Sequence, residues 1–232
     1  MKLKYSIFIL GALTFLASCD KVDNYEEPDT FFTGQVVYNN EPIRVGSNQV
    51  DFQLWQSGFG KETPLGVTLD QEGKFSARLY SGDYRLAFVK GQGPFRTNII
   101  NEQQLDTIFV DLNGNTEMNI EVTPYYLIEN AEFTKSGTTI VGKCSINKII
   151  ADSDAKDIER VTLYVNKTQF VSDNGDYNII ASDGDFSDLN NINISVDLPE
   201  TTVNREQLYA RIGVRMVGVE DMIFSPVEKI DL

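Results

Sequence analysis

Apolar residues in this chain recur at every second position, in short runs broken by turn-forming residues, and that period constrains the fold more than any other feature. Val50, Phe52 and Leu54 alternate with Asp51, Gln53 and Trp55, and Phe75, Ala77 and Leu79 with Lys74, Ser76 and Arg78. Tyr84, Leu86 and Phe88 follow a Ser81-Gly82-Asp83 turn. Ile108, Val110 and Leu112 run into Asn113-Gly114-Asn115, and Met118, Ile120 and Val122 close the set. A strand sends successive side chains to opposite faces, so each run offers one apolar face that must be buried against a second sheet. Helical periodicity is nearly absent, and a turn or two near 151–158 or 204–207 is all that is expected. The fold class is therefore all-β.

Pro124 interrupts the series, because proline cannot donate to a central ladder. A second set then begins. Ile140, Gly142, Cys144 and Ile146 share one face, as do Val161, Leu163 and Val165 on a later strand and Ile192, Ile194, Val196 and Leu198 on the next. Leu208, Ala210, Ile212, Val214 and Met216 form the longest clean alternation, and Ser225-Pro226 precedes a last strand. Residues 30–124 and 125–232 each suit one sandwich with its own core, so the expected architecture is two β-sandwiches in tandem. A protease is expected to cut between them at 122–129, or in the polar segment 20–29, leaving two stable pieces.

Composition removes several functions. The chain has no histidine, which excludes Ser-His-Asp and Cys-His catalysis and any His-ligated metal. Two cysteines cannot build a thiolate zinc site. With 34 acidic against 20 basic residues, the net charge of -14 disfavours nucleic acid as a partner. Carboxylates are plentiful, but nothing marks two of them as a glycosidase pair. Asp173-Asn174-Gly175-Asp176 and Asp183-Gly184-Asp185 with Asp188 do not fit the spacing of a calcium loop and read as Asx-Gly turns. The expectation is a protein without catalytic residues, metal or cofactor.

The N-terminus carries its own signal. Lys2 and Lys4 precede an apolar run that is too short to span a bilayer and ends in Leu16-Ala17-Ser18-Cys19. A leucine, two small residues and a cysteine resemble the bacterial lipobox, in which the cysteine is acylated and becomes the mature N-terminus. Residues 1–18 then form a signal peptide, Cys19 carries the lipid, and Cys144 is left as a free, buried and inert thiol. Residues 19–29 form a polar tether with Asp20, Asp23, Glu26, Glu27, Pro28 and Asp29. That acidic run resembles the surface-export signal of Bacteroidetes lipoproteins.

Three sets of residues are candidates for binding or modification. Trp55 lies on the outward parity of its strand, where an exposed indole can stack on a sugar ring or anchor an interface, unless a bulge or strand end turns it inward. Tyr164, Tyr209, Arg211 and Arg215 fall on the polar parity of two strands. If these strands are neighbours, they make a mixed aromatic and guanidinium surface; otherwise they are part of a solvated face. Asp106-Thr107-Ile108 resembles a Bacteroidetes O-glycosylation acceptor at Thr107, which otherwise simply begins a strand.

Gly34-Gln35-Val36-Val37, Asp70-Gln71-Glu72-Gly73-Lys74-Phe75 and Gly82-Asp83-Tyr84 make the first domain similar to transthyretin-like, carboxypeptidase-regulatory-like sandwiches. Gly73 can take the left-handed conformation of a hairpin turn, after which Phe75 enters the core. The lipobox, Asp23-Asn24-Tyr25, Pro28, this sandwich, Gly93-Pro94-Phe95 and a C-terminal immunoglobulin-like or fibronectin-III-like sandwich with Ser225-Pro226 together resemble one family. It consists of Bacteroidetes lipoproteins of unknown function encoded beside SusC/SusD-type importer pairs. The resemblance implies a surface-exposed outer-membrane lipoprotein, an accessory to such a pair, that helps capture glycan or, less readily, peptide. A scaffold lipoprotein without ligand, or a fimbrial or adhesive subunit, are the alternatives.

Overall fold

The computed structural model describes residues 26–58, 63–97, 99–101, 104–105, 107–202 and 205–232. The signal peptide, Cys19, most of the tether and Asp106 lie outside the described residues. Among the described residues no helix is long and apolar enough to cross a membrane.

The first sandwich opposes two sheets. One contains β1 (Thr30–Tyr38) beside β2 (Glu41–Pro42) and antiparallel to β5 (Lys74–Leu79), with the short β10 (Thr116–Glu117) and β11 (Ile120–Glu121) parallel to it. The other has the order β4-β3-β6-β9, built from β3 (Asp51–Gln56), β4 (Leu65–Thr68), β6 (Gly82–Phe88) and β9 (Ile108–Leu112). A small hairpin, β7 (Ile99–Asn101) with β8 (Gln104–Leu105), precedes β9. The alternating residues meet between the sheets, where Phe52, Leu54, Phe75, Tyr84, Leu86, Val110 and Leu112 are buried. A chain of rings crosses this core, with Phe32–Phe75 and Phe52–Phe75 centroids 5.0 Å apart, Phe52–Phe88 5.8 Å and Phe88–Phe95 4.8 Å. Gly73 does adopt the left-handed conformation, with φ of 74°, and a Cβ there would stand 2.2 Å from the Ile43 carbonyl oxygen. Asp70 closes that turn by accepting from the N–H groups of Glu72 and Lys74.

The second sandwich sets β12 (Tyr126–Ser136), β13 (Thr139–Lys148) and β16 (Ile192–Asp197) against β14 (Ile158–Asn166), β15 (Ile180–Gly184) and β17 (Gln207–Met216). The strands β18 (Ile223–Phe224) and β19 (Glu228–Asp231) both pair with β17. Its core holds Ile140, Ile146, Val161, Leu163, Ile194, Leu208, Ile212 and Val214. The tandem all-β architecture matches the sequence pattern. No helical turn forms at 151–158; single 3-10 turns occur instead at Gly175–Tyr177 and Glu200–Thr202.

The two sandwiches pack as one unit. Pro124, Tyr125 and Tyr126 at the junction are buried, and Phe95 pairs with Pro124 across it. Backbone hydrogen bonds tie the halves together: Tyr125 N–H to Pro94 O at 3.1 Å, Glu220 N–H to Gly91 O at 3.1 Å and Phe224 N–H to Arg44 O at 3.0 Å. Arg96 reaches Asp152 at 2.6 Å and Asp154 at 3.3 Å. With the junction packed this way, one resistant body from 30 to 232, in place of a cut at 122–129, is the expected product of limited proteolysis. These contacts use residues 44, 91 and 94–96 of the first sandwich, which lie ahead of β3 and just past the end of β6. The tether enters at the opposite end, where Thr30 Oγ1 is 3.0 Å from Ser81 Oγ.

Candidate functional site

The outer face of the β4-β3-β6-β9 sheet carries an aromatic row. Register places Trp55 directly opposite Arg85, and Arg85 directly opposite Phe109. Paired residues on adjacent strands share a face, and the inward parity belongs to Leu54, Leu86 and Val110, so this row points to solvent. Phe109 is 79% exposed, Arg85 is exposed and Trp55 is half-buried. The strand is regular at Trp55, with no bulge to turn it inward. A shallow groove of about 360 Å³ runs beside the row, with Ser57, Asp83 and Asp111 on its rim. Three strands at about 4.8 Å spacing make the row roughly 10 Å long. Rings and a guanidinium at that spacing offer flat apolar surface with polar donors and acceptors at the edge, which suits a sugar ring or a protein side chain. Arg85 and Phe109 were not singled out from sequence, although the alternation that buries Leu86 and Val110 also sends both outward.

The second set is placed differently. The strands β14 and β17 are neighbours, and Tyr164 faces Arg211 across the ladder, while Arg215 lies beside Arg160 and Tyr209 beside Asn166. Parity thus brings them to one face as expected. The middle of that face is covered, which corrects the expectation of an open surface, and only Tyr209 and Arg215, both half-buried, keep some exposure. Tyr164 is 4% exposed and Arg211 is fully buried. Met222 and Phe224 fold over Tyr164 from one side, and the first sandwich closes over Arg211 from the other. The Arg211 guanidinium donates to four carbonyl oxygens: Ser225 at 2.9 Å, and Val45, Val171 and Gln71 at 3.2 Å each. Val45 and Gln71 belong to the first sandwich, the other two to the second. The Phe224 ring lies 4.6 Å from the guanidinium carbon. Burial pushes the guanidinium down to about 9, with Glu72 opposing that shift and Arg44 adding to it, so it stays charged at neutral pH. Arg211 is a strut between the domains, not a ligand-binding group. Arg215 pairs within the second sandwich, reaching Asp173 at 3.4 Å and Glu159 at 3.9 Å, and it is Asp173 that meets the first sandwich, accepting from Gln49 Nε2 at 3.0 Å.

Beside this strut, Asp221 accepts a hydrogen bond from Gly93 N–H at 3.0 Å across the seam. Burial raises its carboxyl to about 6 from 3.8; the Gly93 bond and Arg215 oppose the rise, and Glu220 and Asp173 add to it. A carboxyl raised on folding binds its proton more tightly in the native state. The stability it contributes is therefore complete below the unfolded value and is lost as pH rises through about 6. Asp152 and Asp185 are lowered and titrate outside this window. The melting temperature should consequently fall between pH 5 and pH 7. Asp221→Asn, whose amide oxygen can still accept from Gly93, should flatten that segment of the profile; an unchanged slope would remove Asp221 as its source.

The remaining candidates are soon placed. Thr107 is half-buried just before β9. Cys144 is a buried free thiol that burial pushes up to about 12, as an inert cysteine requires. The aspartate-rich turns spend their oxygens internally. Asn174 accepts from Asp176 N–H, Asp185 from Ser187, Asp188 from Asn190 N–H and Asp183 from the Thr162 hydroxyl.

Comparison with known proteins fits this architecture. Residues 30–123 match the DUF3823 N-terminal domain, described as a protein of unknown function, and residues 126–229 match DUF3823_C, described as a domain of unknown function. A DUF3823 family structure from Parabacteroides merdae is 35% identical with a TM-score of 0.78, covering 89% of this chain and 100% of its own. One from Bacteroides ovatus is 28% identical with a TM-score of 0.76, covering 88% of this chain and 100% of its own. A Bacteroides uniformis structure described as a "putative carbohydrate binding protein" shares the fold at 18% identity and a TM-score of 0.67, covering 88% of this chain and 100% of its own. No curated protein matches the chain. Matched across both sandwiches and 35% identical to one of its solved members, the chain belongs to the DUF3823 family.

Proposed function

We propose that the chain is a non-catalytic outer-membrane lipoprotein, anchored through Cys19 and displayed at the cell surface as an accessory subunit of a SusC/SusD-type importer, where it captures glycan. The observation that carries the binding part is the outward Trp55–Arg85–Phe109 row on a rigid sheet. Phe109 is 79% exposed and Trp55 points to the same face, and the chemistry of such a row suits the faces of sugar rings. The description of the Bacteroides uniformis relative is consistent with this reading. The anchoring part rests on Leu16-Ala17-Ser18-Cys19 and the acidic residues after it. Residues 19–29, fully extended, reach about 36 Å. They enter the first sandwich at the end away from the second, so an anchored molecule projects its second sandwich outward.

Pull-down of the tagged lipoprotein from solubilised outer membranes tests the partner. The proposal expects both members of an importer pair to be recovered. Recovery of neither, under conditions that keep other importer complexes intact, overturns it.

A further inference from the structure

A second concave site lies where the two sandwiches meet. It is a cleft of about 810 Å³, with Lys90, Arg96 and Thr97 on the wall from the first sandwich and Tyr125, Asp154 and Lys156 on the wall from the second. Its volume falls in the range of sites for organic ligands, about 300–1,000 Å³, and is far larger than a simple ion needs. Its charge is the reverse of the chain's. The sequence has 34 acidic against 20 basic residues, yet among the described residues that line the cleft three cations face one carboxylate. That carboxylate, Asp154, is already held by Arg96 at 3.3 Å, and Arg96 is further held by Asp152. The ammonium groups of Lys90 and Lys156 make no ion pair with another described residue. The Tyr125 hydroxyl likewise makes no hydrogen bond to one, although its ring is packed and its N–H is bonded to Pro94 O at 3.1 Å.

Two uncommitted ammonium groups and a phenol converging on one cleft call for a ligand rich in acceptor oxygens and carrying negative charge. We propose that the cleft between the sandwiches binds an acidic saccharide, a sugar bearing a carboxylate or a sulfate ester. The sugar part of this assignment rests on the glycan reading above; the anionic part rests on the cleft alone. The ligand bridges the domains, with Lys90 contributed by one and Lys156 and Tyr125 by the other. The Arg96–Asp152–Asp154 ion pairs fix the separation of the two walls.

Calorimetry on the full chain in detergent at low salt tests this, with trigalacturonate as the carboxylate probe, a chondroitin sulfate disaccharide as the sulfate probe and maltotriose as the neutral control. At least one acidic probe should bind, and its affinity should fall with added salt. Lys90→Ala and Lys156→Ala should each weaken it about tenfold, as loss of one charge-assisted hydrogen bond does. Both substitutions remove solvent-facing ammonium groups, so an unchanged melting temperature confirms folding. Trp55→Ala should leave acidic-probe binding intact, which separates this site from the aromatic row. If no acidic probe binds, if maltotriose binds Trp55→Ala as tightly as the acidic probe does, or if the lysine variants bind as wild type, the cleft assignment falls. Loss of maltotriose binding in Trp55→Ala bears only on the row.

Discussion

Arg211→Met should cost about 3 kcal/mol or more of stability and convert a single unfolding transition into two. The substitution keeps the apolar stem and removes the guanidinium, leaving the Val45, Gln71, Val171 and Ser225 carbonyls without their donor. Each buried acceptor left unsatisfied costs about 1–3 kcal/mol, and some of that is recovered as water enters the seam. Removing a buried charge also relieves its desolvation, which is why the expected loss is well below the sum over four acceptors. Two of the four carbonyls belong to the first sandwich, so the loss falls on the contact between domains and spares the two cores. Denaturant unfolding followed by circular dichroism measures the loss, and limited proteolysis should show new cleavage near 122–129 in the variant alone. A loss below about 0.5 kcal/mol, the range of an ordinary surface change, would show that Arg211 is not the strut described.

Under the proposed anchoring, Cys19→Ala should move essentially all of the protein from the membrane fraction to the soluble fraction. Among the described residues no helix offers a second membrane-spanning anchor. An acyl anchor is stable only when more than one chain is attached, so loss of its attachment site is all or none. Fractionation in cells lacking the importer pair is the clean measurement, because a bound partner could retain the variant. Continued membrane association in such cells would contradict lipid anchoring at Cys19.

The period-two pattern made the strands legible because burial on one face leaves a direct mark on sequence. Leu54, Leu86 and Val110 are core and Trp55 faces outward, as alternation requires. What alternation does not encode is which strands become neighbours. The sheet order β4-β3-β6-β9 places Trp55, Arg85 and Phe109 side by side, although the last two lie far along the chain from the first. The same parity correctly grouped Tyr164 with Arg211, and the pairing of β14 with β17 brought them together. Their burial comes from segments of the other sandwich and from the 222–224 return, and no local pattern announces that a polar face will be covered from outside. An arginine satisfied by carbonyl oxygens in place of carboxylates leaves no charge partner in the sequence to point to it. The closed seam is hidden for the same reason: Pro124 marks the end of one sheet, but proline says nothing of the hydrogen bonds that then tie the two halves together.

The central claim is that the outward aromatic row binds glycan, and titration of a neutral oligosaccharide panel into the full chain, wild type against Trp55→Ala, tests it most directly. The indole is half-exposed, so the substitution should leave the melting temperature nearly unchanged and isolate binding from folding. Stacking of a ring on an aromatic side chain is worth about 1–3 kcal/mol, taking base stacking as the measure, which corresponds to a roughly 5- to 150-fold weakening. The account predicts that at least one member of the panel binds and that Trp55→Ala weakens it by that much, with Phe109→Ala acting in the same direction. Binding of equal strength in wild type and Trp55→Ala, or no binding by any member of the panel, would contradict it.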